Sequence, residues 1–143
     1  MSRLRSSLRV LGRVLLWLVT IAEAGLMAIA GSAKFTGNGP EVWGEMFVGW
    51  GYPLWFAWVV GVVEIAFALL LLVPRLAAWA ASVLGIVMLG ALATVVIHDS
   101  PLGVAGPIVN LVALAIVLGG RWPVRWRPSS SVAGSDSGPQ PHP

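Results

Sequence analysis

Residues 54–97 read LWFAWVVGVVEIAFALLLLV, then PR, then LAAWAASVLGIVMLGALATVVI. Two long apolar runs, 54–73 and 76–97, are parted by Pro74-Arg75 and hold a single charge, Glu64. Twenty helical residues rise about 30 Å, the thickness of a bilayer's hydrocarbon core. The runs are continuous rather than alternating, which argues against membrane strands. They predict two spanning helices joined by a tight turn. Working outward, residues 14–33 repeat the pattern with one charge, Glu23. So do residues 104–120, where Pro107 falls in the first turn and its missing N–H costs little. The first run has no small-residue cleavage site followed by a soluble domain, so it reads as a retained span and not a signal peptide. The predicted fold is all-α: a bundle of four transmembrane helices occupying residues 1–127.

Composition points the same way. The 143 residues are 57% hydrophobic and 10% charged, against about 25% charged in an ordinary soluble domain. A soluble fold of this size has too little interior to hide that apolar surface, whereas a bilayer solvates it. With no cysteine, disulfides, thiol redox chemistry, iron–sulfur clusters and cysteine-bound zinc are excluded. The net charge is +3, but the arginines flank apolar runs and form no basic polar face. They read as anchors to anionic lipid and not as a nucleic-acid surface.

The arginines also set the orientation. Arg3, Arg5, Arg9 and Arg13 precede the first span, Arg75 lies between spans two and three, and Arg121, Arg125 and Arg127 follow the fourth. With four spans, all of them fall on one side. Lys34, Glu41, Glu45, His98 and Asp99 fall on the other. The positive-inside rule makes the arginine side cytoplasmic, so both termini are cytoplasmic. The expected location is the inner (plasma) membrane of a bacterial cell, with the lipid bilayer as the first partner. Residues 128–143, rich in Ser, Gly and Pro, predict a disordered cytoplasmic tail in which His142 is inert.

The longest connection, residues 36–53, opens with turn chemistry at Thr36-Gly37-Asn38-Gly39-Pro40. A segment bearing Trp43, Phe47 and Trp50 follows. It predicts a short interfacial helix lying on, or dipping into, the outer face. Its aromatics, with Tyr52, Trp55 and Trp58, suit the outer lipid–water boundary, and Trp122 and Trp126 the inner one.

The polar residues within the spans carry the functional signal. A charge at bilayer centre costs about 3 kcal/mol on insertion scales, so such residues face the bundle interior and often carry function. On a helix, Glu64 shares its face with Ala57, Gly61 and Ala68. Asn110 shares one with Gly103, Gly106 and Ala113, and His98 with Ala91 and Thr94. Small residues mark helix contacts in membranes. Glu23 shares a stripe with Thr20, Met27 and Ala30, and Lys34 stands three turns above it, about 20° around the axis. The expected arrangement is a polar cavity opening outward, with the two carboxyls at its floor, Asn110 higher, and Lys34, His98 and Asp99 near the mouth. Burial favours the neutral form of a carboxyl, and a second carboxyl nearby favours it further, the condition a proton relay needs. Glu64, Glu23, Lys34, His98 and Asn110 are therefore the ligand-binding or proton-relay candidates.

Each has a plainer reading. The glutamates can be hydrogen-bonded packing residues, and Asn110 interhelical glue. Lys34 reads most simply as snorkelling to the outer headgroups, His98 as an interfacial histidine, and Met27 and Met88 as packing residues. No phosphate-cradling loop is present. One membrane-proximal histidine does not make a bis-histidine haem site, and ligands for a metal are lacking. His98, Asp99 and Ser100 are neighbours in sequence, which is not how a hydrolytic triad is assembled.

The stretch from Gly31 to His98 resembles the DoxX-like family of small four-helix membrane proteins. The likeness rests on Gly31-Ser32-Ala33-Lys34-Phe35, on Phe47-Val48-Gly49-Trp50-Gly51-Tyr52-Pro53, on Gly61-Val62-Val63-Glu64, on Pro74-Arg75, and on Met88 through His98. Lys34, Glu64 and His98 are the candidates that fall on its pattern. Glu23 and Asn110 rest on the helical geometry alone. The resemblance implies a four-helix bundle and a redox-accessory role: at most a non-catalytic subunit of a membrane oxidoreductase, working with a membrane or periplasmic redox partner. Joined to the cavity, it gives the leading reading. A quinone, bound non-covalently, meets Glu64 and His98 at its oxygens, while Lys34 stabilises negative charge. Two alternatives stand beside it. A proton-coupled small-molecule transporter would use Glu23 as its cation site, as small multidrug transporters use a glutamate in their first span. A membrane scaffold with no small-molecule site would depend on exposed Trp43 or Trp50 instead.

Overall fold

The computed structural model describes residues 2–100 and 102–121, with side chains from residue 7 onward. The readings made for the tail, for Trp122 and Trp126, and for Arg125 and Arg127 lie outside the described residues. Five helices follow in order: α1 (Ser2–Ser32), α2 (Gly39–Gly49), α3 (Leu54–Leu71), α4 (Ala77–Ile97) and α5 (Ala105–Arg121). There is no strand among the described residues. Three helices contain an apolar stretch long enough to cross a membrane, at Ser7–Ser32, Leu54–Leu71 and Ala77–Ile97, and α5 is a shorter apolar helix. The protein is thus a helical membrane bundle whose apolar surface meets lipid.

Helix α1 begins twelve residues before the predicted first span, because nothing between Ser2 and Val14 breaks a helix. Its far end matters more. At Gly31 a Cβ would stand 2.8 Å from the Gly61 carbonyl oxygen and 2.7 Å from Ile65 Cγ1. These two glycines bring α1 and α3 to backbone contact, the role small residues play where lipid offers no hydrophobic drive. Gly61 lies seven residues into α3, so α1 stops roughly 10 Å below the level at which α3 starts. The chain then turns through residues 33–38, and α2 packs on the outer half of α3 in the space α1 has vacated. Gly44 and Phe47 are its buried residues.

In the bundle α1 and α4 are diagonal, each packed against α3 and α5. The buried face of α3 is Ala57, Gly61, Glu64, Ala68 and Leu71, the small-residue stripe that the sequence places around Glu64. The core at the inner half joins Ala24 and Met27 of α1 to Ala68, Leu71, Ala80, Ala81, Leu84, Met88, Leu114 and Val117. The opposite faces carry Ile29, Val62, Leu69, Ile86, Ile97 and Val109, all more than half exposed. A soluble protein does not present such a belt around its whole waist.

Helix α4 ends by a left-handed residue, Asp99, with φ 46°. The Ser100 N–H donates to the Val95 carbonyl at 3.1 Å, closing the last turn. That stop leaves His98, the capping residue, exposed.

Candidate functional site

The half of the bundle that holds α2, the outer half in the expected orientation, contains a cavity of about 500 Å³ to which all five helices contribute. This volume lies within the usual range for small-molecule pockets, about 300–1,000 Å³. Its walls are mainly apolar, with Met27 and Met88 at the inward end and Phe47, Phe56 and Val60 along one side. Lys34, Tyr52, Glu64, Thr94 and Asn110 supply the polar atoms.

The central feature is an ion pair. Lys34 Nζ donates to Glu64 Oε2 at 2.6 Å, with both side chains about 5% exposed. A second N–H of the ammonium goes to the Ala30 carbonyl at 3.2 Å, and the Trp43 ring covers it at 4.7 Å from the centroid. The sequence favours a snorkelling Lys34; the structure buries it instead. Because α1 ends early, Lys34 sits below the level at which α3 starts, with a carboxylate one turn from the Gly31–Gly61 contact as its charged partner. Pairing in a low-dielectric surrounding outweighs the reach for headgroups.

The same early stop corrects the reading of the aromatics. Trp55 and Trp58 remain exposed on α3, in keeping with an interface role. Trp43, Trp50 and Tyr52 turn inward and line the cavity, because α2 packs on α3. Phe47 is their hub, with ring centroids 5.4 Å from Trp50, 5.8 Å from Tyr52 and 6.0 Å from Phe56. Gly51, at φ 83°, lets the chain double back so that Tyr52 faces in.

Tyr52 is the residue that sequence reasoning missed. Its hydroxyl lies 3.1 Å from Thr94 Oγ1, and Thr94 in turn donates to the Gly90 carbonyl at 2.9 Å. Thr94 has one proton to give, so Tyr52 is the donor in their bond, and the phenol oxygen keeps acceptor capacity. The available signal was its place between Gly51 and Pro53 as the chain's single tyrosine. Asn110 enters from α5. Its Nδ2 donates to the Gly106 carbonyl at 2.8 Å, while its buried Oδ1 has no partner. Most buried polar atoms are hydrogen-bonded, so this oxygen is free to receive a donor.

Of the five candidates, the structure brings Lys34, Glu64 and Asn110 into one cavity. His98 stands outside it, stacked on Trp50 at 6.3 Å between centroids, and so touches the cavity only through that ring. Glu23 is elsewhere. It is 1% exposed and neither carboxyl oxygen has a hydrogen-bond partner. The Gly31–Gly61 contact sets Glu64 level with Ala28, which places Glu23 about 7 Å deeper. Met27 and Met88, both buried, line the cavity, and Glu23 does not. Among the described residues, no three His, Asp or Glu side chains converge as a metal site would require.

A family model for the DoxX-like family matches residues 18–119. The chain belongs to the DoxX-like family. The match runs from Leu18 in α1 to Gly119 in α5 and so contains every residue that lines the cavity. No curated protein and no solved structure matches the chain. For this DoxX-like protein, the site must therefore be read from its own chemistry. The cavity offers spare donors, namely the third N–H of Lys34 and the second N–H of Asn110. It also offers spare acceptors: Glu64 Oε1, Asn110 Oδ1 and the Tyr52 oxygen. Its lining is thus mainly apolar, with these donors and acceptors clustered around the Lys34–Glu64 pair.

Proposed function

We propose that this DoxX-like protein binds a quinone headgroup in the outer cavity and serves a membrane oxidoreductase as an accessory subunit. The observation that carries this reading is the buried Lys34–Glu64 pair at the edge of an otherwise apolar, aromatic-lined cavity. Lys34 and Asn110 would donate to the oxygens of an oxidised ring, and Glu64, Asn110 or Tyr52 would accept from those of a reduced one. The quinone would supply the redox chemistry when bound; the chain's own residues orient it, exclude water with Trp43, Phe47 and Trp50, and accept hydrogen bonds at the Glu64 and Tyr52 oxygens. His98, behind Trp50, acts by fixing that ring. A membrane or periplasmic redox protein is the partner this role requires.

The same reading takes α5 as a fourth crossing, with both termini on the cytoplasmic side of a bacterial plasma membrane. A Cβ at Gly120 would meet the Leu16 side chain, so the end of α5 lies beside the first half of α1. That arrangement gathers Arg9, Arg13, Arg75 and Arg121 at one end of the bundle, in accord with the positive-inside rule. The alternative of proton-coupled transport draws on the buried Glu23. The scaffold reading loses its motif, since Trp43 and Trp50 are half-buried against the cavity.

The test is the quinone content of protein extracted from native membranes in mild detergent. The wild type should carry close to one quinone per chain, and Glu64→Gln only traces. A second variant leaves the ion pair alone. Gly106 lies on the Gly103–Asn110 stripe that lines the cavity, and a Cβ there meets nothing within 4 Å. Gly106→Leu should therefore fill the cavity without strain, keep the melting temperature, and also lose the quinone. Only traces in the wild type would overturn the proposal and leave a scaffold or transporter.

A further inference from the structure

Glu23 has no part in the outer cavity, yet among the described residues it is the most enclosed acidic group. Both of its oxygens are buried and unpartnered. An uncompensated buried charge is strongly disfavoured, so the carboxyl is neutral in this arrangement. A second orphan lies nearby. Thr20, one turn below Glu23, receives a hydrogen bond from Arg121 Nη2 at 3.4 Å, while Arg121 Nε is buried with no partner. The guanidinium rests over the Trp17 ring, 4.3 Å from the centroid. Thr20 gives its own proton to the Leu16 carbonyl at 2.7 Å, so it leaves the carboxyl unserved. An open groove of about 530 Å³ between α1 and α5, lined by Gly12, Leu16, Val19 and Gly120, reaches this end of the bundle.

The charged neighbours are few. Helix α3 carries one titratable residue, Glu64, which is committed to Lys34. Helix α5 carries only Arg121, and α4, across the diagonal, carries none. On α1 itself the nearest is Arg13, exposed, almost three turns below and lining the same groove; Lys34 lies just past the other end of α1.

We infer that Glu23 is a reversible proton-binding site of the inner half-bundle, reached from the arginine-rich end, whose ionised form is received by Arg121. The neutral acid sits among Ala24, Met27 and Thr20. On losing its proton, the carboxylate draws the guanidinium from the Trp17 face past Thr20, and an α1–α5 ion pair replaces the two orphans. The site is separate from the quinone cavity and does not rest on what that cavity binds.

Infrared difference spectroscopy of the full chain in quinone-free lipid vesicles tests this, with the pH stepped from mildly acid to alkaline. The wild type should show a protonated-carboxyl stretch at neutral pH that disappears as the pH rises. Glu23→Gln should remove that band, Glu23→Asp should shift it, and Glu64→Gln should leave it in place. In Arg121→Met the band should survive to higher pH, by about one to three units, because the receiving charge is gone. Absence of a Glu23 band at every pH would overturn the proposal. So would a band that never titrates, marking a permanently neutral packing residue. An unchanged titration in Arg121→Met would remove Arg121 from the site. Because the vesicles hold no quinone, none of these results depends on the outer cavity's ligand.

Discussion

Replacing Lys34 with methionine should destabilise the protein by about 3–5 kcal/mol, the usual loss when one partner of a buried ion pair is removed. The size follows from what remains. Glu64 is 4% exposed, the cavity beside it is mainly apolar, and the 2.6 Å bond from Lys34 is the one hydrogen bond seen at its carboxylate. Glu64→Leu should cost a similar amount, since Lys34 would keep only the Ala30 carbonyl and the Trp43 face. The Lys34→Met/Glu64→Leu double variant should recover most of the loss, because a buried pair exchanged for apolar groups of similar volume is often neutral. Unfolding in mixed detergent micelles, arranged as a double-mutant cycle, measures the coupling. A loss below about 1 kcal/mol for Lys34→Met would match a weak, exposed pair, with Lys34 at the headgroups after all. The double variant also separates folding from function. It should be stable yet fail to retain the quinone we propose for the cavity, because that cavity has lost both its strongest donor and its carboxylate acceptor.

The second large effect is expected at Gly31, which packs against Glu64 from outside the cavity lining. Gly31→Val should cost more than the 1–3 kcal/mol typical of overpacking a tight interior. Its new Cβ meets a backbone oxygen of α3 at 2.8 Å, and backbone cannot swing aside as a flexible side chain does. The relief available is to push α1 and α3 apart. Those two helices hold the two ends of the ion pair, so the variant should also separate Lys34 from Glu64 and, on the function proposed above, lose quinone. Gly25→Ala and Gly85→Ala serve as controls: neither Cβ would meet anything within 4 Å, and alanine suits a helix better than glycine does. Thermal unfolding of the three variants in one detergent compares them directly. A Gly31→Val melting curve like those of the controls would show that the α1–α3 contact does not hold the site together.

Much of the site's chemistry was legible before the structure. A glutamate surrounded at helical spacing by Ala57, Gly61 and Ala68 had to face a neighbouring helix, and it does. Asn110 was legible for the same reason. Lys34 was misjudged because a lysine at the end of an apolar run has two good solutions, and depth decides between them. Depth depends on where α1 stops relative to α3, which is a fact of packing. The inward turn of Trp43, Trp50 and Tyr52 was hidden by the same fact. His98 failed in the opposite direction: its stripe with Ala91 and Thr94 pointed inward, but the left-handed turn at Asp99 ends α4 and leaves the ring outside Trp50.

By itself, the sequence determined a helical membrane protein of the DoxX-like family, with apolar faces to lipid and glutamates turned away from it. These properties follow from local periodicity and composition: a long uncharged run has one stable form in hydrocarbon, because every backbone polar group must be satisfied within the segment. The tertiary structure alone decided which polar groups meet. It joined Lys34 to Glu64, folded α2 over them as an aromatic wall, and left Glu23 alone with Thr20 and Arg121 at the other end. Those outcomes rest on helix offsets of a few ångströms, set by the Gly31–Gly61 contact between residues thirty positions apart, and no local pattern encodes them.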